Sequence, residues 1–496
     1  MQRGDQLLRQ GAPGAPALAD RDRRLTYAEL DAQVSAVAGA LAARLPEGER
    51  VAVWLPKTIE CVILLFAILR AGLVMVPVNP VLRGQQVRHI LADSGARLLV
   101  THRARATGLT DPPCPVLLLE TDWAELAAAP PLTGRGQGGD TLAALLYTSG
   151  STGAPKGVMV THMNLLVGAR SVSSYLGTAP DDHLLSVLPL SFDFGFSQLT
   201  TAFHAGASVA LLDYLTPRDV VQACTRHGIT QLGAVPPLWV QLVALDWPAE
   251  TAARLRTLSN TGGRLPVPTV RALRALFPAA RLHLMYGLTE AFRSTTLPPP
   301  LADIHPDSIG RAIPDAEILV VRPDGQVTDD GEPGELVHAG PLVTLGYWQD
   351  PERTAIRFKP APPASRYGGM AVWSGDTVVR SADGLLTFVG RADETIKTMG
   401  TRVSPTEIEE LAYQSGAVAQ VVALGLADEV AGQRIRLIAA PVAGLSPAEA
   451  ESRLVAHFKR EAPHYMQPAG IVWLDALPVS ANGKLDRSAI RTQYGA

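Results

Sequence analysis

LAALLYTSGSTGAPKG, from Leu142 to Gly157, is the stretch on which the fold turns. Leu142–Tyr147 is an apolar run with the length and bounds of a buried strand. The loop after it runs Thr148, Ser149, Gly150, Ser151, Thr152, Gly153, Ala154, Pro155, Lys156. Its glycines let the backbone turn tightly and approach a ligand closely. Successive N–H groups form an anion-binding nest, Ser and Thr hydroxyls add donors, and Lys156 adds a positive charge. Such a loop suits a polyphosphate. The spacing is not that of the GxxxxGK[ST] loop, and Pro155 with Lys156 sets it apart from a flexible Gly/Ser linker.

Outward from the loop the chain alternates strand and helix. RVAVWLP (Arg50–Pro56), ARLLVT (Ala96–Thr101) and PVLLLE (Pro115–Glu120) are short apolar runs bounded by turn residues. Thr26 with Glu29 forms a capping box ahead of a helical pattern. This rhythm predicts an α/β protein with parallel-rich sheets and helices on both faces. Leu184–Leu212 and Ile229–Val235 continue it beyond the loop. From Ile318 the pattern changes to short strands and turns (EILVVRPDG, GELVHAG, VWSGDTVVRSADGLLTFVG), which predicts a small β-rich subdomain. After Gly390 helix and strand alternate again, with helix starts predicted at Ser404-Pro405-Thr406-Glu407 and Ser446-Pro447-Ala448-Glu449.

Composition sets limits. Of 496 residues, 47% are hydrophobic and 18% charged, with 44 basic against 47 acidic side chains. That is enough apolar material for large cores, and a net charge of −3 lacks the basic excess of a nucleic-acid binder. It gives no polybasic reason to sit on an anionic membrane either. Cys61, Cys114 and Cys224 are far apart, with neither metal-ligand spacing nor a disulfide framework, as suits a reducing compartment. The first residues, MQRGDQLLRQGAPG, carry no signal-peptide apolar region. The run CVILLFAIL ends at Arg70, well short of the roughly 20 residues a membrane span needs. The expectation is a cytoplasmic protein. The 44 glycines and 39 prolines indicate many turns and become informative only where they cluster.

Five motifs then occur in order. TSGSTGAPKG is followed by Tyr286-Gly-Leu-Thr-Glu290, Ser374-Gly-Asp376, Gly390-Arg-Ala-Asp-Glu-Thr-Ile-Lys-Thr-Met-Gly400 and Pro478-Val-Ser-Ala-Asn-Gly-Lys484. Together they resemble the signatures of the adenylate-forming (ANL) superfamily: acyl-CoA synthetases, peptide-synthetase adenylation domains and luciferases. The resemblance spans essentially the whole chain. It implies ATP and Mg²⁺, with Thr289 at the α-phosphate, Glu290 on the metal, Asp376 at the ribose, and Arg391 at the ribose or a phosphate. It also implies that Gly262 and Gly263 pack on adenine beside Tyr286. Lys484 would supply the charge that stabilises in-line attack of a substrate carboxylate on the α-phosphate. The implied layout is an N-terminal core over residues 1–392, β-rich from about 316, and a mobile α+β cap over 393–496 hinged at Asp393. Rotation of the cap would bring Met399-Gly400-Thr401 to the site for transfer to a pantetheine thiol. Lys484, Glu290 and Asp376 are all present, which argues against a silent nucleotide-binding homologue.

The substrate motif is Leu188-Pro-Leu-Ser-Phe-Asp-Phe-Gly-Phe-Ser197. In amino-acid-activating relatives an Asp at the position of Asp193 pairs with the substrate ammonium; the alternative is a helix or turn cap. The segment from Glu290 through Phe292 and Arg293 resembles stand-alone enzymes that load β-amino acids onto acyl carrier proteins in macrolactam polyketide (antibiotic) pathways. By that resemblance Phe292 helps set side-chain selectivity. Phe292 with Phe192, Phe194 and Phe196 favours an apolar or aromatic substituent, with Gly287 beside them in the pocket. Arg293 either touches substrate or braces the loop. The competing expectation is an AMP-forming acyl-CoA synthetase that uses a simple acid and coenzyme A. His162 and His204 read as structural.

Overall fold

The computed structural model describes residues 1–136, 138–148, 155–391, 396–398, 401–428 and 431–495. Among these residues the strands gather into three sheets, set in a large N-terminal and a small C-terminal domain.

The first sheet carries the phosphate-loop segment. Leu142–Thr148 runs antiparallel to Lys156–Thr161, with Thr148 opposite Lys156, so the loop closes the end of a hairpin. On its other side this strand is parallel to Val74–Pro77, and Arg50–Trp54, Leu98–Thr101 and Val116–Leu118 complete the sheet. The strand predicted over Pro115–Glu120 stops at Leu118. There the Asp122 carboxylate accepts the Leu118 N–H at 2.7 Å and starts a helix over Leu119–Ala127. CVILLFAIL lies within a helix, Ile59–Arg70, of which every residue but Glu60 is buried. Each large aliphatic there contributes about 1.5–3 kcal/mol by leaving water. Arg70 ends that helix fully buried and fully matched, at 3.1 Å from Asp5 and 2.5 Å from Asp31.

The second sheet has a parallel centre of His183–Ser186, Ser208–Leu211, Gln231–Ala234, Thr257–Asn260 and Arg281–Tyr286. Beyond Tyr286 the chain folds back antiparallel through Thr295–Leu297 and Ser308–Ala312. The hairpins of Glu317–Val321, Pro333–Ala339, Met370–Arg380 and Leu386–Arg391 extend the same sheet edge to edge. Asp376 and Arg391 face each other across one such pair. Helix His162–Leu176 is capped by Thr161, and His162 is buried, its Nδ1 accepting the Gly4 N–H at 3.2 Å. Burial pushes that imidazole down to about 4.

The third sheet, Ile396–Thr398, Thr401–Val403, Val418–Asp428, Gly432–Pro441 and Gly470–Trp473, packs against helices Pro405–Gln414 and Pro447–Glu461. Ser446 and Glu449 form the predicted reciprocal cap. At Ser404 the arrangement differs from the predicted box. Its Oγ accepts the Thr406 N–H and itself donates to the Val389 carbonyl, tying this helix to the N-terminal domain. No helix among the described residues is long and apolar enough to cross a membrane. All three cysteines are free and buried.

Candidate active site

A cleft of about 360 Å³ opens where the C-terminal domain meets the second sheet. Gly262, Gly263, Tyr286, Asp376, Arg391 and Lys484 all line it. These residues come from five separate segments, so the fold gathers what the sequence leaves hundreds of positions apart.

Lys484 arrives on a tight turn. Gly483 holds φ +76°, the left-handed backbone that glycine adopts without strain. The Gly483 N–H donates to the Ser480 carbonyl at 2.8 Å, and the Ser480 N–H to the Lys484 carbonyl at 2.7 Å. From this turn the ammonium reaches over the ring of Phe192, 4.3 Å from its centroid. Burial lowers its pKa, and the charge of Asp193 pulls the other way. Gly262, at φ +83°, leaves the necessary room: a Cβ there would stand 2.6 Å from Lys484 Cε. Asn79, at the end of the first sheet's Val74–Pro77 strand, holds the turn. Its Nδ2 donates to the Ala481 carbonyl at 2.8 Å and to Asn482 Oδ1 at 3.1 Å.

The Tyr286 hydroxyl donates to Asp376 Oδ2 at 2.5 Å, and Arg391 stands 3.2 Å from Asp376 Oδ1. Burial and the Asp376 charge raise the Tyr286 phenol well above its ordinary value, so it stays a donor. Beyond Gly287, a 3₁₀ turn over Thr289–Ala291 carries Thr289 and Glu290. Glu290 Oε1 accepts the Tyr347 hydroxyl at 2.6 Å and lies 3.5 Å from Lys156 Nζ. That ammonium also sits 3.8 Å from the Tyr347 ring centroid. Burial lowers the Lys156 pKa against the pull of Glu290. Thr148 Oγ1 is buried without a hydrogen-bond partner among the described residues. Ser149, Gly150, Ser151, Thr152, Gly153, the expected hinge Asp393 and Met399–Gly400 lie outside the described residues.

Deeper in, Asp193 stands in the first turn of helix Asp193–Ala205, whose N-cap is Phe192. It is 5% exposed, and its Oδ1 has no hydrogen-bond partner among the described residues. Burial raises its carboxyl pKa, opposed by the charges of Arg293 and Lys484. Phe292 has φ +60° and ψ −69°, and the Arg293 N–H donates to the Ala291 carbonyl at 2.6 Å. This is a strained γ-turn, rare for a side chain of that size. The Phe292 ring lies where a Cβ on Gly168 would be, 2.5 Å away. Arg293 is 2% exposed; its Nη1 donates to Thr261 Oγ1 at 3.2 Å, and Cζ lies 4.8 Å from the Phe194 ring centroid. Phe196 points elsewhere, packing on Phe66 at 5.9 Å in the N-terminal core.

The AMP-binding enzyme model matches residues 8–348, and the model for the C-terminal domain of AMP-binding enzymes matches residues 407–484. The chain belongs to the AMP-binding enzyme family. Its fold and motifs are those of an AMP-forming ligase. This AMP-binding enzyme is 33% identical over 490 residues to tyrocidine synthase 3 of Brevibacillus parabrevis, covering 96% of the chain but 7% of that far longer protein. It is 31% identical to novobiocin biosynthesis protein H of Streptomyces niveus, covering 96% of the chain and 80% of that protein. Among solved structures, ATP-bound MatB from Rhodopseudomonas palustris superposes with a TM-score of 0.88 at 25% identity, over 99% of both chains.

Motif reasoning does not reach Asn79 or Tyr347, whose partners are remote in sequence. Tyr347 sits in a Gly-Tyr-Trp triplet with no chemistry of its own, and its link to Glu290 exists only in three dimensions.

Proposed function

We propose that this AMP-binding enzyme uses ATP to adenylate the carboxylate of an amino acid, a β-amino acid by its subgroup resemblance, releasing pyrophosphate. The acyl group then passes to the pantetheine thiol of an acyl carrier protein. The observation that carries the amino-acid reading is Asp193, a buried carboxylate with one oxygen unpartnered among the described residues. Burial without a partner is costly for a carboxylate, and a substrate ammonium would offset that cost. Resemblance to a probable non-canonical nonribosomal peptide synthetase of Salinispora arenicola, 32% identical over 97% of the chain, supports a carrier protein as acceptor.

Asp376 and Arg391 would take the ribose, Gly262 and Gly263 the adenine, and Thr148, Thr289 and Lys156 the phosphates. The hydroxyls and N–H groups of Ser149–Gly153 would join the phosphates in the same way. Glu290 fits a Mg²⁺ site: it is a hard oxygen donor beside Lys156, and no cluster of three metal-binding side chains competes for the ion among the described residues. A metal held by one carboxylate, waters and phosphate oxygens is the usual arrangement for Mg²⁺. Such an ion would neutralise charge on the phosphates. Lys484 would bridge the reacting carboxylate and the α-phosphate, where charge grows in the transition state. Tyr347 fixes Glu290, and Asn79 fixes the turn that carries Lys484. We place the domain boundary after residue 392, with Asp393 as the hinge for the thiol-transfer half-reaction.

The second reading, a coenzyme A ligase of a simple acid, is favoured by the end-to-end likeness to a benzoate CoA ligase from Burkholderia xenovorans, with a TM-score of 0.86 at 25% identity. Pyrophosphate exchange across amino, β-amino and simple acids tests the first half-reaction. Thioester formation on a holo carrier protein against coenzyme A tests the second. Exchange only with amino acids and transfer to the carrier protein are expected; exchange with simple acids and transfer to coenzyme A would favour the second reading.

A further inference from the structure

Asp376 is not presented by a regular ladder. Against the neighbouring strand Pro333–Ala339, the three residues Ser374, Gly375 and Asp376 stand opposite Leu336 alone. Such a bulge re-aims a side chain and takes main-chain groups out of the ladder, so they need other partners. Glu335 Oε1 accepts the Gly375 N–H at 2.8 Å. Ser374 Oγ accepts the Asp376 N–H at 3.1 Å and donates to the Leu336 carbonyl at 2.6 Å. The carbonyls of Ser374 and Trp373 fall to one guanidinium, that of Arg357, whose Nη1 donates to both, at 3.3 Å for Trp373. Gly375 makes room for it: at φ +70°, a Cβ there would collide with that nitrogen.

Arg357 reaches the bulge from the metal side of the site. It is the last residue of helix Pro351–Arg357, which starts where Asp350 accepts the Arg353 N–H at 3.0 Å. Thr354 pins this helix to Tyr347. Its Oγ1 accepts the Tyr347 N–H at 2.9 Å and donates to the Asp350 carbonyl at 2.7 Å. The Arg357 guanidinium also hydrogen-bonds the Tyr347 hydroxyl, the group that donates to Glu290. Burial and the Glu290 charge raise that phenol's pKa, and the guanidinium opposes them. Lys156 feels the same cation: burial lowers its pKa, and the charges of Arg357 and Arg353 lower it further. One side chain therefore joins the bulge that carries Asp376 to the tyrosine that holds Glu290.

We propose that Arg357 is a positioning residue that holds the Asp376 bulge and the Tyr347–Glu290 pair at the separation one Mg²⁺-bound ATP spans. The proposal rests on the assignment of Asp376 to the ribose and Glu290 to Mg²⁺, and adds the group that sets their spacing. Acting through those two carboxylates, Arg357 affects nucleotide binding rather than the chemical step.

The test is equilibrium binding, by calorimetry without amino acid, of ATP and of 2′,3′-dideoxy-ATP, each with and without Mg²⁺. Two ratios are read: the advantage given by the ribose hydroxyls and the advantage given by Mg²⁺. In the wild type the hydroxyls are expected to be worth about 100-fold, the scale of two hydrogen bonds to a charged group. Arg357→Ala should lower both ratios together, each by about tenfold. In pyrophosphate exchange its loss should appear in KM for ATP, with KM for the amino acid unchanged. Arg357→Lys, which keeps the charge but not the planar fork, should recover part of both ratios. Thermal melting of each variant separates loss of positioning from loss of the fold. Equal weakening of every nucleotide, with both ratios unchanged, would make Arg357 a packing residue and overturn the proposal. A fall in the ribose ratio alone would confine Arg357 to the bulge and overturn it too. Wild-type indifference to the ribose hydroxyls would sink the ribose assignment of Asp376 and the proposal with it, whereas a wild-type preference that survives Arg357→Ala sinks the proposal alone.

Discussion

Lys484 enters the cleft because two glycines give it room: Gly483 bends the turn and Gly262 clears the space beneath its stem. Its neighbours set its chemistry. Burial lowers its pKa, so the ammonium needed for phosphoryl chemistry is lost below the ordinary lysine value of about 10.4. The pH profile of pyrophosphate exchange should therefore show an alkaline limb below that value. Lys484→Ala should lower exchange by about 1,000-fold, the scale of removing a preorganised donor at developing charge. Thioester formation from a supplied acyl-adenylate should fall far less. Equal losses in both half-reactions would contradict the assigned role. Lys484 is legible in the sequence because an Asn-Gly turn precedes it in a motif of fixed order. Asp193 is legible by its place among the phenylalanines, but its burial and its oxygen unpartnered among the described residues are not. Those depend on which atoms the folded chain leaves without partners.

At the scale of elements, the first sheet does more than carry the phosphate loop. Asn79 leaves its Val74–Pro77 strand to grip the Lys484 turn 402 residues away at Ala481, and Arg264 stands 3.5 Å from Glu410 on the C-terminal domain's first helix. If these contacts hold the domain in the arrangement that presents Lys484, weakening them shifts the population away from it. Asn79→Asp keeps the shape and removes the donors. It should reduce pyrophosphate exchange about tenfold, the worth of one or two hydrogen bonds, while transfer to the thiol is maintained and the melting temperature moves little. Unchanged exchange would mean that Asn79 is merely a packed side chain. The alternation of short apolar runs and capping boxes discloses most elements, as at Thr26 and Ser446. It misjudges Leu119, where Asp122 draws an apolar run into a helix, and it leaves Asn79 unseen, since an asparagine ending a strand reads as a turn residue.

The whole molecule buries three neutral histidines, His162, His283 and His338, whose imidazoles burial pushes down to about 4, 4 and 3. Each binds a proton more readily in the unfolded chain, near 6.5. Their contribution is complete above pH 6.5 and drains away as the pH falls through these lowered values, by about 3 kcal/mol for His162 and for His283. Thermal unfolding should therefore lose midpoint steadily from pH 6.5 to 4, and His162→Asn, which keeps an acceptor for the Gly4 N–H, should reduce the slope. A flat profile would contradict it. The α/β class and the order of motifs are readable before folding because they follow hydrophobic period and local spacing. The cleft is not, because its walls come from both domains. We propose that this AMP-binding enzyme adenylates an amino acid held by Asp193. Pyrophosphate exchange with an amino acid and with the same acid lacking its amino group, in wild type and Asp193→Asn, tests it most directly. A wild-type preference for the amino acid of at least about 100-fold, abolished in the variant, is expected. Equal or faster exchange with the acid lacking the amino group would contradict it.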